Sequence, residues 1–487
     1  MKKVLLLFCA LQAAATAARA REAAVAGQFY PADKAALTAF VDAALVPCDR
    51  EKLPGGIVAV VAPHAGYEFS GKLAGLAYSC VGDAYDAVVV LGTAHTEAVK
   101  GAALLASDDY STPLGKVPTD RALAAALMKA SPLFEDRPSA HAREHAVEVQ
   151  LPFLQRRLKK PFRLVAAVLN TQDLADLKKI GAVLAAALKG KKALLVISTD
   201  FSHYPAKAEA AASDGALELA METLDPALVR GASRTLLEKK VPGLETCACG
   251  EAALEAGMAA ARLLGAGSFV KLKLSDSYSE APSAAGPERV VGYISGAFVK
   301  AGRPAELALT AAQKKALLEE ARLTLRNSFA GKETPAALAA DPRLNLPGAA
   351  FVTLTEDGNL RGCVGTVEPV LTLMDAVRYG AYSAAFRDGR FRPLAAEELP
   401  KVTIEVSVLS PLKPAKAADI KAGVQGVVAV NGGHSGLFLP QVWEQIPAKE
   451  AFLAELCSQK AGLPRDCWKD PKTELYSFTV DAAKEGN

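Results

Sequence analysis

Three short apolar runs in the first half of the chain each stop at a loop that carries a histidine. Val58 to Ala62 lead into Pro63-His64-Ala65-Gly66-Tyr67, and Val88 to Leu91 lead into Gly92-Thr93-Ala94-His95. Leu194 to Ile197 lead into Ser198-Thr199-Asp200-Phe201-Ser202-His203. Runs of this length, rich in Val, Ile and Leu and lacking polar alternation, read as strands buried on both faces of an α/β sheet. In such sheets ligands gather beyond the carboxyl ends of the strands. One sheet would therefore carry His64, His95 and His203 towards one pocket although they lie far apart in sequence. Three of only six histidines at equivalent strand ends favour a site over three separate structural residues. Cys249, in Cys247-Ala248-Cys249-Gly250 just before a helical stretch, is a fourth candidate.

The donor types narrow the chemistry. Imidazole and thiolate suit iron, copper or zinc rather than magnesium or calcium. Two histidines and a cysteine with an open position can bind and activate a small molecule. Asp200, three residues before His203, could orient a ligand or act as an acid/base; alternatively Asp200 and Ser202 cap a following helix. In Arg143-Glu144-His145-Ala146-Val147-Glu148 the two carboxylates would sit one turn apart on a helix. The spacing is not that of a helical metalloprotease motif, which needs two histidines four apart. An ion-paired helix and a wall of the pocket are equally good readings.

A chain of 487 residues is too long for one ordinary core, so two domains or more are expected. Its 51% apolar and 22% charged residues are a globular balance, and a net charge of +3 with no basic stripe gives no argument for nucleic acid. Lys2-Lys3, the apolar segment from Val4 to Ala18 and Ala18-Arg19-Ala20 form the pattern of an export signal over residues 1–20. The expectation is an exported, periplasmic protein with no membrane span after cleavage. Seven cysteines then remain, an odd count that leaves at least one thiol free or metal-bound. Their scatter is not that of a disulfide scaffold. Cys457 and Cys467 read either as a bridge or as two independent buried thiols.

Strand-like and Ala/Leu-rich helical runs alternate over residues 22–300, with helices expected at 120–130 and 173–189 and further strands at 165–169 and 290–295. Residues 301–309 read as a linker. The rest, 310–484, opens with a helix whose Thr310 and Gln313 form a capping pair. It continues with hairpins at 349–364 and 424–439, helices at 373–385 and 449–460, and strands at 401–409 and 474–480. This is an α+β pattern. Cys363, between Arg361 and two glycines, is a candidate reactive thiol because cationic surroundings lower a thiol pKa; the alternative is a buried structural cysteine. His434, in a glycine-rich turn, could serve it as base, though a plain loop histidine is the simpler reading.

His64-Ala65-Gly66-Tyr67, the His95 strand end, the stretch from Glu144 to Leu154, Ser198 to Tyr204 and Cys249-Gly250 occur in an order and spacing that resembles the Memo-like family, AmmeMemoRadiSam system protein B. That resemblance implies a fold similar to the class III extradiol dioxygenases. It also implies an iron or copper site on His64, His95 and Cys249, with zinc ranked behind, and Asp200 and His203 lining the same pocket. Phe69 stands where an aromatic hydroxyl is common, and Thr93-Ala94 replace a more usual proline and small polar residue; neither change removes a ligand. The second half resembles the AMMECR-type domain, AmmeMemoRadiSam system protein A, on Leu360-Arg361-Gly362-Cys363-Val364-Gly365-Thr366, on Ala384 to Pro393 and on Leu439-Pro440-Gln441-Val442. The two together imply a radical S-adenosylmethionine enzyme as partner and a redox role on an unnamed small molecule. A metal-dependent oxidoreductase and a non-catalytic metal- or partner-binding protein both fit, and zinc hydrolysis with Asp200 or Glu144 as base is a third reading.

Overall fold

A computed structural model describes residues 20–332 and 337–486. The expected export signal falls, but for Ala20, outside the described residues. Among those residues no helix is long and apolar enough to cross a membrane. The chain divides into two compact units. The first holds residues up to Phe201, Ala248–Ala284 and Tyr293–Arg303; the second holds Ser202–Cys247, Ala285–Gly292 and everything from Pro304.

The elements of the first stretch run β1 (Ala20–Arg21), α1 (Lys34–Ala44), β2 (Ile57–Ala62), α2 (Lys72–Ser79), β3 (Ala87–Thr93) and β4 (Ala102–Leu104). They continue with β5 (Asp109–Thr112), β6 (Gly115–Val117), α3 (Arg121–Ala130), β7 (Phe134–Asp136), α4 (Pro138–His141) and α5 (Leu151–Arg157). Then come β8 (Leu164–Leu169), α6 (Leu174–Leu188), β9 (Ala193–Ser198), α7 (Lys207–Glu222), α8 (Pro226–Glu238) and α9 (Glu251–Leu263). β10 (Ser268–Asp276), α10 (Ser277–Glu280) and β11 (Gly292–Val299) complete it. The main sheet has the order β10-β11-β2-β9-β3-β8-β4-β7. β2, β9, β3 and β8 are parallel, whereas β11 joins β2 and β4 joins β8 antiparallel, so the sheet is mixed. Every residue of β3 is buried, as the unbroken apolar run requires of a strand covered on both faces. Asp120 and Asp173 cap α3 and α6 as their positions before the apolar periodicity suggest, each side chain accepting backbone N–H groups of the first turn.

In the second unit α7 and α8 pack with the C-terminal half, and the ammonium of Lys239, which directly follows α8, lies 2.6 Å from Asp375. That half contains α11 (Ala311–Phe329), with both bonds of the Thr310/Gln313 capping box, then β12 (Pro347–Glu356), β13 (Asn359–Gly365), β14 (Leu371–Thr372) and α12 (Leu373–Phe386). It continues with β15 (Val402–Leu409), β16 (Lys413–Ala415), β17 (Gly426–Asn431), β18 (His434–Phe438), α13 (Lys449–Glu455), β19 (Glu474–Phe478) and β20 (Val480–Lys484). One sheet is β13-β12-β15-β20, and a second is β16-β19-β17-β18. Leu317, Leu325, Val352, Leu354, Val377 and Ile404 form the core between α11, α12 and the first sheet. The domain is β-rich, and its last strand departs from expectation. The run read as one strand at 474–480 breaks at Thr479, and Val480–Lys484 cross to pair with β15. No glycine or proline marks that break in the sequence.

Cys457 and Cys467 are bridged, and so are Cys48 and Cys80, a pair that spacing alone did not suggest. Cys247, Cys249 and Cys363 remain as thiols.

His141 is fully buried, with Nε2 2.9 Å from the Ala103 carbonyl and Nδ1 2.8 Å from the Tyr110 hydroxyl. Nε2–H therefore donates to the carbonyl, Nδ1 accepts from the hydroxyl, and the ring is neutral. Burial pulls its pKa down from 6.5 to about 4. The unfolded ring takes up a proton that the folded ring refuses, so stability is complete above pH 6.5 and is lost as pH falls towards 4. The loss is on the order of 3 kcal/mol. Thermal melting between pH 7 and pH 4 should show it, and His141→Gln should flatten that part of the profile.

Candidate metal centre

The parallel strands β2, β9 and β3 deliver their loops to one end of the sheet. His64 follows β2, Asp200 follows β9, His95 follows β3, and Cys249 arrives in the turn before α9. The ligand atoms of His64, His95 and Cys249 all lie within 4.8 Å of one another. His64 Nε2 is 3.0 Å from Cys249 Sγ. His64 is almost fully buried, whereas the His95 side chain is 29% exposed and leaves one side of the cluster open.

Hydrogen bonds fix which nitrogen of each ring is bare. The Ser198 hydroxyl donates its one proton to the Ala146 carbonyl at 2.6 Å and accepts from Gln150 Nε2 at 2.9 Å. Its 3.0 Å bond to His64 Nδ1 must therefore be accepted from Nδ1–H. Nε2 keeps its lone pair and faces the thiol. His95 repeats the pattern, with Nδ1 donating to Glu144 Oε1 at 2.8 Å and Nε2 left to bind. Glu144 is fully buried; it also accepts the backbone N–H groups of His95, His145 and Ala146 at 2.6, 2.8 and 2.9 Å. Burial alone would raise its pKa, but the bond from His95 and these amides bring it down to about 2.

The other candidates divide. Asp200 does not cap a following helix. One carboxylate oxygen accepts the N–H groups of His64 and Ala65 at 2.7 and 3.3 Å, and so holds the turn that carries His64. His203 belongs to the second compact unit, where bridges to Thr246 and Val291 hold its backbone. Burial and the Asp200 carboxylate push the Cys249 thiol well above the ordinary range, so without a cation it keeps its proton. Gly250 has to be glycine, because a Cβ there would come within 2.6 Å of Thr199 Cβ.

His145 was missed as part of the cluster. Its ring stacks on His95 with centroids 4.6 Å apart and stands edge-on to His64 at 5.3 Å, while Phe29 covers it at 4.6 Å. Burial and the two neighbouring imidazoles pull its pKa down to about 4. The expected helix through Glu144 and Glu148 does not form; residues 142–147 are loop and turn, and helix starts only at Glu148. The two carboxylates diverge, Glu148 turning to Arg21, Tyr30 and the amides of Ala24 and Val25. The sequence signal for His145 was its place beside Glu144, the carboxylate that orients His95.

The Memo-like protein family model matches residues 21–297, and the AMMECR1 family model matches residues 318–483. The chain belongs to the Memo-like family. A MEMO1 family protein of Aquifex aeolicus is 36% identical over 259 residues, 53% of this chain and 92% of the relative. Another, from Nitrosopumilus maritimus, is 31% identical over 281 residues, 56% of this chain and 97% of the relative. Among solved structures, an uncharacterised protein from Pyrococcus horikoshii has 35% identity and a TM-score of 0.34, covering 36% of this chain and 91% of its own. Memo-like and AMMECR1 domains thus stand in one chain.

In the AMMECR1 domain Cys363 lies on β13, half-buried, with the Thr353 hydroxyl donating to Sγ at 3.3 Å. The expectation that Arg361 activates it is corrected. The Arg361 guanidinium is paired with Glu398 at 2.9 Å and donates to the Arg392 and Pro393 carbonyls. Arg390 is a cation near the thiol, donating to the Cys363 carbonyl at 3.1 Å, and Lys460 is another. Burial raises the thiol pKa, and the Thr353 bond and Arg390 offset only part of that. His434 is the exposed first residue of β18, directly after the Gly432-Gly433 turn and paired with Asn431 across the hairpin.

Two outcomes follow from these geometries. Ser198→Ala should weaken metal binding at neutral pH by about 10- to 100-fold, because His64 loses the acceptor that fixes its tautomer; chelator competition measures it. His64→Ala, His95→Ala and Cys249→Ala should each weaken it further. In the AMMECR1 domain, alkylation of Cys363 should be slow at pH 7 and rise only above the ordinary thiol range. Arg361→Ala should leave that rate unchanged and Arg390→Ala should slow it, as peptide mapping after brief labelling would show.

Proposed function

We propose that the Memo-like domain is a mononuclear metal oxidoreductase whose ion, iron or copper with zinc ranked behind, is held by His64, His95 and Cys249. One observation carries this reading: two imidazoles with their bare nitrogens fixed by hydrogen bonds converge with a thiol, and one side of the cluster stays open. Donors of this softness select iron, copper or zinc, and a bound ion would supply redox or Lewis-acid chemistry to a small molecule entering that side. The chain's own residues prepare the ground. Ser198 and Glu144 hold the rings, Asp200 fixes the His64 turn, and the Cys249 proton leaves when a cation takes its place. Asp200 and His203 are proposed as acid/base groups, in a domain whose fold we take to be that of the class III extradiol dioxygenases.

The expectations of export and partnership stand as part of the same proposal. Two disulfides support an oxidising, periplasmic setting. The joining of Memo-like and AMMECR1 domains supports a shared task with a radical S-adenosylmethionine enzyme, in which Cys363 serves as a second reactive group. The competing reading, a non-catalytic metal carrier, draws on His145, which could complete four protein donors.

Elemental analysis and absorption spectroscopy of protein purified from its native compartment separate the two. One iron or copper per chain, a thiolate-to-metal band and reversible redox cycling are expected. Zinc alone, or a metal retained in Cys249→Ala without change in its spectrum, overturns the oxidoreductase.

A further inference from the structure

A cavity of about 490 Å³ opens in the first unit at the amino ends of β2 and β9, bordered by Gly56, Ile57, Lys192 and Ala193. The metal cluster lies beyond the carboxyl ends of the same two strands, each six residues long. The two places are therefore roughly 20 Å apart. The volume is that of a small-molecule site.

Its lining is one-sided in charge. Arg50, Lys191, Lys192 and Lys300 border the cavity, and among the described residues no aspartate or glutamate does. The carboxylates nearest in sequence are Asp49, Glu51, Asp83 and Asp86; none of them borders the cavity, and three have bonds of their own. Asp83 binds Arg157 and Lys159 at 2.6 and 3.1 Å, Asp86 accepts the backbone N–H of Lys192 at 2.9 Å, and Asp49 accepts that of Glu51 at 3.3 Å. Four like charges around one concavity repel one another, and a multivalent anion relieves that repulsion. An apolar surface lies beside the charge. The Tyr85 ring, its hydroxyl held by the Gly82 N–H at 2.7 Å, carries the Lys192 ammonium 5.6 Å from its centroid. The Cys48–Cys80 bridge ties the loop that bears Arg50 to the end of α2, and Cys80 itself borders the cavity. Arg50 thus stands on a braced loop.

We propose that this cavity binds a small polyanion, a phosphorylated or polycarboxylate molecule whose apolar part rests on Tyr85. The site is separate from the metal centre and holds whether or not that centre is redox-active. Calorimetric titration of the full chain with pyrophosphate and with citrate tells the two anion chemistries apart. Saturable one-to-one binding of at least one is expected, weakening as salt rises. Lys192→Ala and Lys300→Ala should each weaken it by roughly tenfold, since each removes a charge-assisted bond. Lys178→Ala, an exposed cation on α6, should leave affinity unchanged, and bound metal should be equal in all three variants. The side chains exchanged are exposed, so folding is not at stake. Absence of saturable binding by both probes overturns the proposal. So does equal weakening by Lys178→Ala and Lys192→Ala, which would mean attraction to net charge alone.

Discussion

The Ser198 hydroxyl has one proton to give, and the geometry of the candidate metal centre depends on where it goes. Because the Ala146 carbonyl takes it, the oxygen accepts from His64, and the imidazole turns its lone pair towards Cys249. Gln150 enforces the arrangement from the other side, spanning Ser198 and the Pro63 carbonyl at 2.9 Å each. Ser198 is the last residue of β9 and Pro63 follows β2, so the parallel pairing of these two strands is what brings the bonds into register. Sheet topology and ring tautomer are one constraint seen at two scales.

Two buried carboxylates four residues apart frame the other histidine of the cluster, His95. A buried charge is tolerated where donors replace the water it loses. Glu144 receives four N–H donors, three of them from consecutive or ligand-bearing backbone, so its charge serves to place His95. Glu148 receives the Arg21 guanidinium, the Tyr30 hydroxyl and two amides of the segment that begins the described chain. Arg21 in turn donates to the carbonyls of His141 and Glu144. The first residues of the fold are thereby stapled to the loop that orients His95, and loosening either carboxylate would be felt at that ring.

What the sequence made legible follows from what physical signal was local. Unbroken Val/Ile/Leu runs identify β2, β3 and β9, and their ends locate His64 and His95. An acidic residue before each helical period locates the starts of α3 and α6. His145 was hidden because Glu144 and Glu148 have helical spacing, whereas tertiary bonds to His95 and Arg21 pull them onto different partners. The crossing at Thr479 was hidden because β19 and β20 form one continuous strand pattern; only pairing with different sheets divides them. The Cys48–Cys80 bridge joins residues 32 apart, a closure that only the packing of α1 and α2 determines.

The two part-exposed thiols show how little a residue type says without its surroundings. Burial raises the pKa of both, so neither is a ready nucleophile by itself. Cys363 has a hydroxyl donor and a nearby guanidinium, groups that stabilise a thiolate in part but cannot replace its proton. Cys249 faces two bare imidazole nitrogens instead, an environment that gains nothing from an anion alone and much from a cation shared among three donors. The difference in neighbouring donors, rather than in acidity, is what separates a thiol placed where a metal ion could bind from one held on a strand.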